Sequence, residues 1–260
     1  MFTSLHHLID GEWMREAYRR TRKDGATGID GVTAADYEKD LEANLDDLLS
    51  RIKSGRYLAP PVRRHYIPKA DGTNRPLGIP TFEDKVAQRA ILMLLEPIYE
   101  TDFLPCSHGF RPERSAHDAL KALRSGIIEQ RQRWVIDADL KAYFDSISLT
   151  HLRSFLDLRI KDGVVRRMID KWLKAGVLEE GIVHRPVAGT PQGGASSHRL
   201  SPTFSCIMCW TSGSRRRRGR ACAATASWCD TLTTLSSPSK TAKAPSGCLT
   251  RWANVSVDTG

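Results

Sequence analysis

The segment Val135–Ile147 constrains the fold more than any other part of the chain, because it places acids in what otherwise has the pattern of a strand. Apolar and acidic residues alternate with a period of two, so Asp137 and Asp139 share one face. An ionised carboxylate is unfavourable in a half-buried sheet, and acids there indicate cations bound above them. An exposed strand end, in which Asp145 or Ser148 caps the next helix, explains the segment equally well.

Composition divides the chain near Gly194. The 260 residues carry a formal net charge of +9, which alone would suggest a nucleic-acid partner. Residues 1–194, however, hold 30 of the 39 basic and 28 of the 30 acidic residues, a balance of only +2. The remaining residues carry +7 and five of the six cysteines. The length allows one large or two small domains, and the composition indicates two different segments.

The sequence carries no targeting signal that we recognise. Residues 1–9 lack a basic region followed by a long apolar run, so no signal peptide is predicted. No stretch approaches the length needed to span a membrane. Cys106 is the only cysteine before residue 195, which fits a reducing compartment and predicts a cytoplasmic location.

Apolar periodicity predicts helices interleaved with strands. The predicted helices cover residues 7–23, 33–54, 82–100, 115–126, 149–160 and 164–175. The predicted strands cover residues 62–68, 75–79 and 133–140, with a further hairpin over 177–183. The glycine-rich segment 24–31 lacks the Lys-Ser/Thr ending of a phosphate-binding loop and is predicted as an ordinary loop. This order predicts an α+β fold with a sheet covered on one face.

The hairpin predicted over residues 62–79 is rich in cations. Its basic residues are Arg63, Arg64, His65, Lys69 and Arg75. Basic residues on a two-stranded lid are well placed to bind phosphates. An edge hairpin also uses Lys and Arg to discourage aggregation, so both interpretations remain open at this point.

Four motifs then follow in a fixed order: Arg75–Pro80, Gly109–Pro112, the acidic strand and Thr190–Gly193. In this order they resemble the reverse transcriptase domain of bacterial group II intron-encoded reverse transcriptase/maturases, over roughly residues 10 to 194. Two departures are small: His108 stands where the family usually has Tyr, and Ser148 where it often has Asp.

The resemblance implies the fingers and a partial palm of a right-hand polymerase over residues 61–194. Residues 1–60 would form an N-terminal helical extension. Residues 195–260 would form a disordered or irregular tail, since large apolar residues are sparse there.

The resemblance also implies a set of site residues. Asp139 matches the first catalytic, metal-binding carboxylate, with the carbonyl of Leu140 as a further Mg²⁺ ligand. Phe144 matches the aromatic gate that rejects a 2′-hydroxyl, and Gln192 matches the motif that positions nucleotide and template. Lys69 and Arg75 match residues that hold the triphosphate. The predicted RNA contacts are Arg63, Arg64 and Arg111. In this context the functional interpretation of Asp139 is favoured, whereas Asp137 and Asp145 are predicted to be structural.

One part of the family's machinery is missing from the sequence as it stands. Nucleotidyl transfer needs two Mg²⁺ ions roughly 3.5–4 Å apart, and one carboxylate cannot hold both. The family's other two carboxylates come from a Tyr-Ala-Asp-Asp turn beyond the Thr190–Gly193 motif, and this chain has no such turn.

The genetic code suggests why. A reading frame shifted by one nucleotide joins the last base of each codon to the first two bases of the next codon. In that frame the codons for residues 208–211 can encode only Val, Leu and Asp. The same frame forces another Val at Trp228–Cys229 and permits Arg-Tyr-Ala-Asp-Asp across residues 229–234. We therefore hypothesise that residues after about 194 are an out-of-frame translation. The half zinc site at Cys206 and Cys209 and the arginine run at 215–220 are then accidents of that frame.

Two function classes follow. The first is an RNA-directed DNA polymerase of intron mobility, whose partners are intron RNA template, DNA primer and deoxynucleotides, and whose cofactor is Mg²⁺. The second is a non-catalytic maturase fragment that binds intron RNA. For this chain as it stands, little or no polymerase activity is expected.

Overall fold

The computed structural model describes residues 1–68, 72, 74–109, 111–129 and 148–184. The described residues fall into two compact units, the first made of those within 1–102 and 148–184 and the second of those within 103–129. No helix in the described ranges is long and apolar enough to cross a membrane. The architecture mixes helices with one small sheet, which confirms the general class predicted from sequence.

The first unit holds six α-helices, one short 3₁₀ helix (His6–Leu8) and four strands within the described residues. The helices are α1 (Gly11–Arg20), α2 (Ala34–Glu38), α3 (Leu41–Lys53), α4 (Phe82–Glu100), α6 (Leu149–Leu156) and α7 (Gly163–Lys174). The strands are β1 (Val62–Pro68), β2 (Asn74–Ile79), β3 (Val177–Glu179) and β4 (Ile182–His184). In the second unit, α5 (Ala116–Ile128) begins at a capping box between Ser115 and Asp118.

The sheet has the strand order β2-β1-β3-β4. The β1–β2 and β3–β4 pairs are antiparallel hairpins, both at the predicted places. β1 and β3 pair in parallel, with Val62 beside Val177 and Arg63 beside Leu178. Sequence periodicity did not predict this parallel pairing, because it joins segments more than a hundred residues apart.

The α4 helix is the centre of the first unit. It is buried along most of its length, from Phe82 to Tyr99, and its predicted bounds are confirmed. α1 packs against it, and Trp13 Nε1 donates to the carbonyl of Ala90 at 3.0 Å. α1 and α4 therefore pack together within one unit, and the domain boundary at residue 60 stays a prediction.

Three helix predictions need correction. The helix predicted over 33–54 is two helices, because Asn44 Nδ2 donates to the Tyr37 carbonyl at 2.9 Å and so satisfies the end of α2. α1 begins at Gly11 rather than residue 7, since Asp10 caps it by accepting from Trp13 N at 2.8 Å. α6 ends at Leu156, four residues early.

The N-terminal segment is attached to the loop before α7. Phe2 N donates to Arg159 O and Lys161 N donates to Phe2 O, both at 2.7 Å. The fully buried Asp162 accepts from the backbone N–H groups of Leu5 and His6 at 2.6 and 2.9 Å. Its other oxygen caps α7. Burial opposes ionisation, but these hydrogen bonds outweigh it and hold the pKa of Asp162 well below its usual value.

Candidate nucleic-acid interface

The basic hairpin places its arginines on different faces. Arg63 lies opposite Ile79, and His65 lies opposite Leu77, in the antiparallel register of β1 and β2. Because neighbouring residues of a strand point to opposite faces, Arg63 and Arg64 face different sides of the sheet. Arg63 is exposed and forms no ion pair with a described residue.

The Arg64 face is occupied by a polar cluster. Arg64 Nε lies 3.5 Å from Glu179 Oε2, and the hydroxyl of Tyr66 donates to the same carboxylate. The pKa of Glu179 is lowered first by the hydrogen bond from Tyr66 and then by the charge of Arg64. Arg64 therefore braces β1 against β3, whereas Arg63 is available to a ligand.

A second cation lies near Arg63. Lys85, in the first turns of α4, is largely buried and donates from Nζ to the carbonyl of Ala26 at 2.5 Å. Burial lowers the pKa of Lys85; the charge of Asp30 opposes that effect and the charge of Arg63 adds to it. The ammonium of Lys85 is therefore engaged by the loop and does not face a ligand, but its charge adds to the positive potential around the exposed Arg63.

The glycine-rich loop packs closely enough on α4 to hold Lys85 in place. A Cβ atom added at Gly28 would lie 2.5 Å from the backbone N and Cα of Thr81, so only glycine fits. Thr81 in turn caps α4 by accepting from Asp84 N at 3.2 Å. Residues 24–31 form a loop, as predicted, and that the loop binds no nucleotide stays a prediction.

A buried carboxylate, that of Asp84, joins α4 to α7. Asp84 accepts from the hydroxyl of Tyr57, from Trp172 Nε1 at 2.6 Å and from Gln88 Nε2 at 2.9 Å. Burial nevertheless raises the pKa of Asp84 to about 6, because the hydrogen bonds only partly offset the loss of solvation. The sequence gives no signal for this cluster, because its members come from three distant segments.

Most of the predicted polymerase residues lie outside the described ranges. They are Lys69, Asp139, Leu140, Phe144 and Gln192. The backbone of Arg75 lies in β2, opposite Ile67. Their nucleotide-binding and catalytic roles stay predictions. Asp137 and Asp145 also lie outside, while Ser148 does cap α6 by accepting from His151 N at 3.4 Å.

Arg111, in the second unit, contacts the loop before α5. Its Nη1 donates to the carbonyls of Leu104 and Ser107 at 2.9 and 2.7 Å. Its guanidinium carbon lies 4.7 Å from the ring centroid of Phe103. Arg111 therefore holds the loop before α5 together, and its contact with RNA stays a prediction.

A metal centre is not formed by the part of the chain that the structure describes. There, no three His, Cys, Asp or Glu side chains come close enough together to hold an ion. The predicted ligands, Asp139 and the Leu140 carbonyl, lie elsewhere, so the Mg²⁺ site stays a prediction.

Comparison with known proteins identifies the class. The profile of the family "Reverse transcriptase (RNA-dependent DNA polymerase)" matches residues 67–210, more than half of the chain. The chain therefore belongs to the reverse transcriptase family.

The relatives within that family include proteins encoded by group II introns. Protein YkfC of Escherichia coli is 40% identical over 210 residues, covering 78% of this chain and 54% of YkfC. The group II intron-encoded protein LtrA of Lactococcus lactis is 38% identical over 206 residues, covering 78% of this chain and 34% of LtrA. Nuclear intron maturase 1 of Arabidopsis thaliana is 33% identical over 95 residues, covering 36% and 13% respectively. The predicted resemblance to group II intron reverse transcriptase/maturases is confirmed, and the chain spans about half of YkfC and a third of LtrA.

Proposed function

We propose that this chain forms the fingers and first part of the palm of a group II intron-type RNA-directed DNA polymerase. The observation that carries the proposal is the family match over residues 67–210, which includes the second strand of the basic hairpin, the acidic strand and the Thr190–Gly193 motif. The exposed Arg63, which forms no ion pair with a described residue, gives the described surface a place for phosphates of a nucleic acid.

The proposed mechanism assigns each side chain a binding or positioning role. Arg63 binds the backbone of the template, while Lys69 and Arg75 hold the incoming triphosphate. Phe144 excludes a 2′-hydroxyl, and Gln192 positions the nucleotide. Asp139 and the carbonyl of Leu140 offer the oxygen ligands that Mg²⁺ prefers. When bound, Mg²⁺ stabilises charge on the attacking and leaving oxygens.

We further propose that residues after about 194 are translated in a shifted frame. Since the other frame permits Arg-Tyr-Ala-Asp-Asp across residues 229–234, the absent carboxylates would be encoded but not expressed. This chain then has little or no polymerase activity. The nucleotide sequence of codons 190–240 is the direct test, and codons that cannot give Tyr-Ala-Asp-Asp in the other frame contradict the proposal.

Primer extension on an RNA template tests the polymerase function itself. We expect no extension by the chain as it stands, Mg²⁺-dependent extension by a frame-restored chain, and loss of that activity in its Asp139→Ala variant. Extension by the unaltered chain would contradict the frame proposal. A frame-restored, folded chain that does not extend, or one that is indifferent to Asp139→Ala, would contradict the polymerase proposal.

A non-catalytic maturase role is the second candidate. It is favoured by the described residues themselves, which present exposed cations such as Arg63 for RNA. In that case intron RNA binds in a salt-sensitive manner, and Asp139→Ala leaves binding unchanged.

A further inference from the structure

The end of α3, the turn after it and the outer face of α7 carry a group of cations with no ion pair to any described carboxylate. The group, which we call the α3–α7 basic surface, consists of Lys53, Arg56, Arg167, Lys171 and Lys174.

Two side chains of α7 lie against the turn after α3 and so bring the two groups of cations together. Lys171 Nζ donates to the carbonyls of Gly55 and Tyr57 at 2.6 and 2.5 Å, which joins α7 to the turn. A Cβ atom added at Gly55 would lie 3.8 Å from Arg167 Nε, and one at Gly163 would lie 3.3 Å from its Nη1. The guanidinium of Arg167 therefore lies between two glycines.

The helical spacing puts the α7 cations in one row. Positions 167, 171 and 174 are related as i, i+4 and i+7, so they share the face of α7 opposite the buried Val165 and Ile169. At about 1.5 Å per residue the row is roughly 10 Å long.

Nearby carboxylates are already engaged. Asp170 pairs with Arg153 at 2.6 Å, and Asp157 pairs with Arg166. Asp47 and Glu83 both pair with Arg51. The sequence has no Asp or Glu between residues 48 and 70. The positive charge of the α3–α7 basic surface is therefore not balanced by its neighbours.

Helix stability does not explain the arrangement. Like charges at i, i+4 spacing destabilise a helix by a few tenths of a kcal/mol. The helix dipole favours Lys53 and Lys174, which lie at helix C-termini, but not Arg167 in the first half of α7 or Arg56 in the turn. A polyanionic ligand accounts for all of them.

We propose that the α3–α7 basic surface binds the phosphate backbone of an RNA helix. This inference rests on the proposed function, which supplies RNA as the polyanion. The nearby aromatic residues are anchored to the interior, since Tyr57 is buried and the indole N–H of Trp172 donates to the buried Asp84. Recognition is therefore through phosphates, independent of sequence and strongly salt-dependent. The surface shares no residue with the hairpin that carries Arg63.

The test is RNA affinity as a function of salt, measured by fluorescence anisotropy with the full chain and an RNA duplex of about two helical turns. The surface variant combines Lys53→Gln, Arg56→Gln, Arg167→Gln and Lys174→Gln, leaving Lys171 to its carbonyls. The control variant combines Arg15→Gln, Arg19→Gln, Arg20→Gln and Lys39→Gln, four exposed cations that are all ion-paired. Both variants lose the same charge, and the arginine run at 215–220 contributes equally to all three proteins.

We expect the surface variant to bind at least about 10-fold more weakly, with a salt slope reduced by about 3, and the control to bind nearly as the wild type does. Equal loss in both variants, or no loss in the surface variant, overturns the inference while leaving the proposed function intact. A wild-type chain that binds no RNA, or only anionic vesicles, overturns both.

Lysine acetylation of the wild type gives a readout that does not depend on variant folding. Bound RNA should protect Lys53 and Lys174 but not the ion-paired Lys39. Equal reactivity of Lys53 and Lys174 with and without RNA overturns the inference.

Discussion

At the residue scale, Asp84 is an ionisable side chain held in the interior between α4 and α7. Its carboxylate is buried and its pKa rises from 3.8 to about 6. Because the protonated form is favoured in the fold, the stability that this residue contributes is fully present below about pH 4 and is lost as the pH rises through about 6. The loss is of order 3 kcal/mol.

Asp84→Asn should remove this loss. The carboxamide retains an oxygen for Tyr57 and Trp172, and rotation of the Gln88 amide offers its otherwise unpartnered Oε1 to the new donor. We expect the unfolding free energy of the variant, relative to wild type, to increase by up to about 3 kcal/mol between pH 4 and pH 7. Urea denaturation across that range measures it, and parallel stability profiles would contradict it.

Asp84→Ala provides the contrasting variant. It leaves the hydroxyl of Tyr57 and the indole N–H of Trp172 buried without their acceptor, which should cost about 2–4 kcal/mol at pH 7. If the alanine variant were as stable as the asparagine variant, the hydrogen bonds to Asp84 would not be contributing.

At the element scale, β1 separates two arginines that sequence analysis treated alike. Arg63→Ala should weaken RNA binding and reduce the salt slope by about 1, because its guanidinium is exposed. Arg64→Ala should leave that slope unchanged and lower stability by no more than about 1 kcal/mol, since it removes a partly exposed ion pair with Glu179. Anisotropy titrations and thermal unfolding of both variants test this; equal slopes would show that the face of the strand does not matter.

The carboxylate of Asp162 accepts hydrogen bonds from both the N-terminal segment and α7, so its removal should affect both elements. Asp162→Ala would free the amides of Leu5 and His6 and uncap α7, which should cost about 3 kcal/mol at pH 7. Because the folded pKa of Asp162 is depressed, this stabilisation is present above about pH 4 and is lost as the pH falls further.

Asp10→Ala is the matched control, since Asp10 caps only α1 and should cost about 1 kcal/mol. Denaturation curves give both values, and hydrogen exchange should show faster exchange at residues 2–9 in the Asp162 variant alone. Similar costs for the two variants would mean that docking of the N-terminal segment contributes little.

At the scale of the whole molecule, stability should be distributed unevenly. α4 is buried along most of its length, whereas β1 is exposed from His65 to Pro68. Amide exchange should therefore be slowest in α4 and much faster in the β1–β2 hairpin. Mass spectrometry of exchanged peptides measures both, and a hairpin as protected as α4 would contradict the expectation.

Sequence reasoning recovered local structure well and long-range structure poorly. The bounds of α4 and the two hairpins follow from apolar periodicity and turn residues, which are local signals. The parallel pairing of β1 with β3, the Asp84 cluster and the Arg64–Glu179 pair depend on residues far apart in the chain, which leave no periodic trace. The sequence likewise predicted which cations the candidate site contains. It did not predict that Arg63 is exposed while Arg64 pairs with Glu179.

The parallel pairing of Val62 with Val177 also bears on how the protein is made on the ribosome. The hairpin emerges early but has to wait for more than a hundred further residues before β3 is available beside it, and the N-terminal segment waits similarly for Asp162. Every pairing described for the first unit is complete once residue 184 has been synthesised. A change of reading frame near codon 194 would alter only residues that are synthesised after β3, β4 and Asp162, so it would leave all of these pairings intact.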